Sequence, residues 1–152
     1  MQRESEQYGV QDASYRAAGG VEGIRKLVDC FFRHMDTLPE ARRIREMHPE
    51  DLAESRDKLM RFLCGWLGGP KLYQEKYGPI SIPRVHRHLD IAESERDAWL
   101  KCMQGALDEQ SYRPAFKHYL IRQLAIPAER VRAVCTERIR DDAQGGPGDT
   151  AR

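Results

Sequence analysis

The chain has no run of about 18 apolar residues, so nothing in it is expected to cross a bilayer. Neither sign of charge prevails: 25 Lys and Arg stand against 24 Asp and Glu, a formal net charge of +1. The charges are interspersed as on solvated helix faces, and no clustered basic surface of the kind nucleic acid requires is apparent. The start, MQRESEQYGVQDASYR, lacks the apolar stretch of a secretory signal, so a cytoplasmic location is expected. Four cysteines (Cys30, Cys64, Cys102 and Cys135) lie far apart with no C-x-x-C pair. A disulfide framework or zinc knuckle is therefore not expected, and reduced, mostly buried thiols are, with Cys135 the best candidate for exposure. No H-E-x-x-H, G-x-S-x-G, phosphate-loop or dinucleotide fingerprint occurs, which disfavours zinc hydrolase, serine hydrolase and nucleotide chemistry. No alternating pattern long enough for a strand is present either.

What remains is helical periodicity, over 152 residues that suit one domain with a modest core, 40% of them hydrophobic. Residues 1–12 are polar and read as a flexible extension, residues 13–140 as the domain, and residues 141–152 as a disordered tail. A first stripe, Ile24, Leu27, Val28, Phe31, Phe32 and Met35, has the three-and-four spacing of one helix face. A short helix is predicted over PEARRIREM, with Pro39 in its first turn and an end at His48-Pro49. A second stripe runs through Leu52, Ser55, Leu59, Phe62, Leu63, Trp66 and Leu67 and stops at Gly68-Gly69-Pro70. Residues 68–84, with Gly78, Pro79 and Pro83, read as a long irregular link with room for one helical turn. Such a link in a compact domain tends to be functional, and a cofactor beneath it would keep it ordered. Helices are then expected over Arg84–Leu89 and Ala92–Leu107, and from Tyr112 onward with a kink or restart at Pro127. This is an all-α domain.

Of five histidines, His34 and His118 sit beside polar neighbours and are expected at the surface. His86 and His88 follow the irregular link in VHRHLDI; on a helix they point about 200° apart, so at most one faces inward. His86 shares the side of Ile82, Val85, Leu89 and Ile91 more plausibly than His88 does. On residue type alone, a histidine there is more often packed in a core than a ligand.

The segments GGVEGIRKLVDCFF, MDTLPEARRIREMHPEDLAESRDKL, GWLGGPKLYQEKYG and ERDAWLKCM resemble the group II truncated haemoglobins, over about residues 15–108. The resemblance implies a two-over-two helical sandwich around one b-type haem. It makes His86 the proximal iron ligand, since it stands seventeen residues after Gly69 and thirteen before Trp99, the family spacing without a gap. His88 is the competitor, because RHL is nearer the family wording, but choosing it needs a compensated insertion. Trp99 is similar to the distal tryptophan whose indole can donate to a bound ligand; otherwise it is a core tryptophan needing an acceptor. Ser55 and Leu59 resemble the distal pair of their helix, Phe62 follows on the same face, and Lys58 is either a partner for a haem propionate or a solvated lysine.

Two positions depart from the family pattern. Phe32 stands where most members have tyrosine, which removes one hydroxyl, and a hydrogen bond worth about 1 kcal/mol, from the ligand side. His48 stands where an aromatic or histidine is usual: it replaces the missing donor, or coordinates the iron, or is a surface residue before a proline. The loop ISIPRV also differs from the family wording, which unsettles the propionate contacts there.

The expected partners are diatomic gases (oxygen, nitric oxide and carbon monoxide) at a five-coordinate haem b. With them come oxygen binding or transport, nitric oxide dioxygenation or peroxidase-like turnover, and a reductase for any turnover. No nucleic acid or membrane partner is expected, and the assembly expected is a monomer or weak homodimer. The alternative is a haem-based gas or redox sensor without turnover, read out through the chain beyond Pro127.

Overall fold

A computed structural model describes residues 8–150, with side chains to residue 144. Every regular element among the described residues is helical. They run α1 (Ala13–Ala17), α2 (Gly20–Thr37), a 3-10 turn (Pro39–Ala41), α3 (Arg42–Glu46) and α4 (Ala53–Trp66). After these come α5 (Leu72–Tyr77), α6 (Ile82–His86), α7 (Glu93–Asp108) and α8 (Pro114–Thr150).

The first apolar stripe is the centre of the molecule. Ile24, Leu27, Val28, Phe31, Phe32 and Met35 are all buried on one face of α2. That face packs on α7 and on α4, and α7 in turn packs on α8. From α7 come Ala98, Cys102, Met103, Ala106 and Leu107, and from α4 come Met60, Leu63 and Cys64. The arrangement is one pair of helices laid over another, α2 with α4 and α7 with α8. Small residues permit the crossing of α2 and α7: a Cβ at Gly105 would lie 2.8 Å from the His34 ring. Gly68, at φ +95°, ends α4 against the N-terminal segment, where a Cβ would stand 1.9 Å from the Gln11 carbonyl oxygen.

Several boundaries differ from those the sequence suggests. Residues 72–77 form a helix within the expected irregular link, while α6 lies two residues earlier than predicted, because Pro83 suits a first turn. Pro127 does not divide the last helix, and α8 continues to Thr150, over the segment read as a tail from residue 141. The ion pair Arg138–Asp142, 3.1 Å and one turn apart, supports that continuation. Of the expected N-terminal extension, residues 1–7 lie outside the described residues. Tyr8 is packed, its ring 5.1 Å from those of Phe116 and Tyr119. Residues 151–152 also lie outside. No helix among the described residues is long and apolar enough to cross a membrane.

The long link has an unusual property. None of residues 68–94 is buried, although they include α5 and α6. Most of the fold's apolar contact is made without them.

Candidate functional site

The α2 stripe delivers Phe31 and Phe32 to a wall of rings. Phe31 meets Phe32 edge-on at 5.0 Å and the Trp99 ring, from α7, also at 5.0 Å. Phe32 meets the His48 imidazole edge-on at 5.7 Å. Offset and edge contacts of this kind are the favoured aromatic geometries. His48, Phe32, Phe31 and Trp99 are thus one continuous row supplied by three parts of the chain. Phe32 is almost fully buried, whereas Trp99 and His48 are half-buried.

The second side of the site comes from α4. Its inner face, Met60, Leu63 and Cys64, is buried in the core. Ser55, Leu59, Phe62 and Trp66 stand only half-covered on the same helix, and the rings of Phe62 and Trp66 stack at 6.3 Å. A helix with one apolar row in the core and a second left half-open has room for a further apolar body. Lys58 is turned to its own helix, pairing with Glu54 at 2.9 Å and lying 5.3 Å from the Tyr77 ring. A cavity of about 270 Å³ opens between α4 and the link, lined by Phe62, Trp66, Tyr73 and Ile80 among others. Of the candidate residues it holds Phe62 alone, and neither His48 nor His86 lines it.

Two histidines share a hydrogen-bond geometry. His86 Nδ1 lies 2.7 Å from the Ile82 carbonyl and His48 Nδ1 lies 2.8 Å from the Ile44 carbonyl, each one turn back. A carbonyl only accepts, so both rings donate from Nδ1, and each neutral ring presents a bare Nε2 lone pair. Burial holds His48 below the usual histidine range, and the nearby Arg45 and His86 act in the same direction, against its bond to Ile44. With Nδ1 engaged at the Ile44 carbonyl, neutral His48 presents Nε2 as an acceptor in this conformation. His88 is exposed.

Elsewhere the side chains fall differently from expectation. Val85, assigned to the buried side of α6, is 46% exposed. Cys135 is fully buried, not the exposed thiol expected, and Cys30 is the partly exposed one; all four cysteines are free. His34 and His118 do lie at the surface as expected, His34 partly exposed and bonded to Glu109 at 2.6 Å and His118 exposed.

The link is tied down by polar groups. The Asp57 carboxylate accepts from Tyr77 Oη at 2.7 Å, Lys76 Nζ at 2.9 Å and Arg61 Nε at 2.9 Å. Those donors, the tyrosine first, hold its pKa down at about 2. At the other end, Cys135 and Arg138 of α8 bond the backbone around His86. Sequence reasoning missed these tethers, because neither residue has a local pattern that announces a partner 49 or 51 positions away.

Residues 13–131 match the model of the bacterial-like globin family. The chain belongs to that family. The group 2 truncated haemoglobin YjbI of Bacillus subtilis is 32% identical to this globin over 120 residues, 79% of this chain and 88% of that one. Among solved structures, the group II 2-on-2 haemoglobin of Agrobacterium tumefaciens is 39% identical with a TM-score of 0.69. It covers 76% of this globin and 92% of its own chain. The cold-adapted truncated haemoglobin of Pseudoalteromonas haloplanktis has a TM-score of 0.75 at 30% identity, covering 78% and 95%. The pair-over-pair helices of this globin are the two-over-two fold of the group II truncated haemoglobins. Haem-based ligand binding is the function that goes with this membership.

Proposed function

We propose that this globin holds one b-type haem between the half-open row of α4 and the link carrying α6, with His86 Nε2 as the proximal iron ligand. The observation that carries the reading is the uncovered link: none of residues 68–94 is buried, while Leu59, Phe62 and Trp66 face outward half-covered. An apolar plate between them gives both sides a surface to close on. The residues present fit the group. The Ile82 carbonyl engages His86 Nδ1 and leaves Nε2 as the nitrogen to meet an iron, oriented by that bond. Among the described residues no three His, Cys, Asp or Glu side chains converge to hold an ion. His86 would be the one protein ligand to the iron, and the porphyrin would supply the others.

When bound, the haem supplies an iron that takes diatomic gases such as oxygen, nitric oxide and carbon monoxide. The chain's own residues decide what reaches the open side. Phe32, Phe31 and Leu59 make it apolar and exclude water. Ser55 is too weak a ligand to close the position, and the Trp99 indole is the neutral donor left to meet a bound gas. His48, with a lone pair at Nε2, accepts a proton or competes for the iron. Five-coordinate iron is the resting state of this reading, and a haemoglobin from Bacillus subtilis is described as oxygen-avid.

The test is a visible spectrum of the purified chain with haemin, beside His86→Ala and His88→Ala. A Soret band in the wild type and in His88→Ala, but no stable complex with His86→Ala, is expected. The reverse pattern would move the ligand to His88, and no band in the wild type would remove the reading altogether. A ferric spectrum already low-spin at neutral pH would make His48 a sixth ligand.

A further inference from the structure

We propose that Arg138, with Cys135 beside it, is the positioning residue for the proximal histidine: α8 beyond residue 131, where the family match ends, sets the direction in which His86 presents Nε2. The proposal rests on His86 being the ligand.

The need for such a device comes from α6 itself. It has five residues, no buried side chain and no side-chain cap. A helix this short leaves C-terminal carbonyls without helical partners, and with none of its side chains fully buried its tilt depends on its packing against α8. The His86 carbonyl accepts from the Leu89 N–H at 3.0 Å, and the further partners of this stretch come from α8. Cys135 Sγ donates to the His86 carbonyl at 3.2 Å from a fully buried position. Arg138 Nε donates to the Arg87 carbonyl at 2.7 Å, and one Nη reaches the Leu89 carbonyl at 3.3 Å and Asp90 Oδ1 at 2.6 Å. The other Nη is steered by Asp142 at 3.1 Å.

A planar guanidinium thus holds two carbonyls and a carboxylate in a fixed fork, with its positive charge at the negative end of α6. The His86 ring is bonded to the Ile82 carbonyl of the same short helix, so ring and helix move as one piece. Fixing the backbone after His86 therefore fixes the imidazole. A metal-ligating histidine is commonly oriented through its own ring N–H. Here a second anchor grips the backbone, and it comes from a part of α8 that the family model does not cover.

The experiment uses the full chain reconstituted with haemin, as wild type, Arg138→Met, Arg138→Lys and Asp90→Asn. Three quantities are read: the iron–histidine stretching band of the reduced protein, the rate of haem transfer to an acceptor apoprotein, and amide exchange at residues 87–90 without haem. Arg138→Met should shift and broaden the band and speed haem loss about tenfold, as loss of an outer ligand partner does. Arg138→Lys should follow it, because a lysine cannot span three acceptors; Asp90→Asn should change both readouts in the same sense but less. An unchanged band and loss rate in Arg138→Met overturns the proposal, even if amide exchange rises, since Arg138 would then secure the loop without orienting the ligand. If instead His86→Ala keeps the band, the ligand assignment has failed. Faster exchange in Arg138→Met would then mark the tether as real but not proximal.

Discussion

The two sides of the site are held by different forces. The wall of α2 and α7 is packed: Phe31, Phe32, Met35, Cys102 and Met103 are buried, and their contacts are apolar and numerous. The link from residue 68 to residue 94 buries nothing and is pinned at two points, Asp57 on α4 and the Cys135–Arg138 pair on α8. Packing resists any local change, because every neighbour must move with it. Polar pins allow a segment to open at small cost and close again when something fills the space beneath. A cofactor pocket needs both, one face that does not yield and one that admits the ligand. It follows that stability and haem retention should separate under mutation, each failing on its own side.

The largest effect on this contrast belongs to Phe31. Truncation to alanine removes a fully buried ring that touches both Phe32 and Trp99, and should cost about 3–5 kcal/mol of unfolding free energy. Urea unfolding of the apoprotein measures it directly. His86→Ala should do the opposite, abolishing stable haem binding while the apoprotein melts within about 0.5 kcal/mol of wild type, because its ring is only half-buried and bonds its own helix. If His86→Ala destabilised the apoprotein as much as Phe31→Ala does, the two sides would not be held differently after all.

The packed wall was legible in the sequence and the pinned link was not, for one reason. Ile24 to Met35 announce a buried face because burial imposes the three-and-four spacing. Leu72–Tyr77 bury no side chain, so no stripe marks α5. Cys135 misled in the same way: the residues after it, Thr136, Glu137 and Arg138, are polar, and the backbone it bonds is that of His86 at the end of α6. The candidate residues Phe32, His48 and Trp99 lie in one row with Phe31, a fourth ring that neither spacing nor resemblance singled out for the site. That His48 offers a lone pair depends on a bond to Ile44 that only the folded turn reveals.

A smaller effect probes the apolar side. Phe32→Tyr adds a hydroxyl beside His48. If that hydroxyl reaches a bound gas, one hydrogen bond of about 1 kcal/mol should slow oxygen dissociation about fivefold in stopped flow. The His48 lone pair competes for the same proton. Should dissociation stay unchanged in Phe32→Tyr but slow in Phe32→Tyr combined with His48→Phe, the acceptor at His48 is the reason, and the wall's polarity is set by that ring.

The smallest effect tests a pin by pH. Asp57 titrates at about 2 in the folded protein, against 3.8 as its ordinary value. A lowered carboxylate binds fewer protons folded than unfolded, so its contribution is complete above 3.8 and fades as pH falls toward 2. The gap in apoprotein stability between wild type and Asp57→Asn should therefore be present at neutral pH and close through that window. Half-buried and reached by solvent, the pin is screened, and added salt should narrow the gap at neutral pH. The gap between wild type and Phe31→Ala, which involves no charge, should respond to neither acid nor salt. A Phe31 gap that closed in acid alongside the Asp57 gap would mean the wall and the link unfold as one electrostatic unit, and the division between packed and pinned sides would fail.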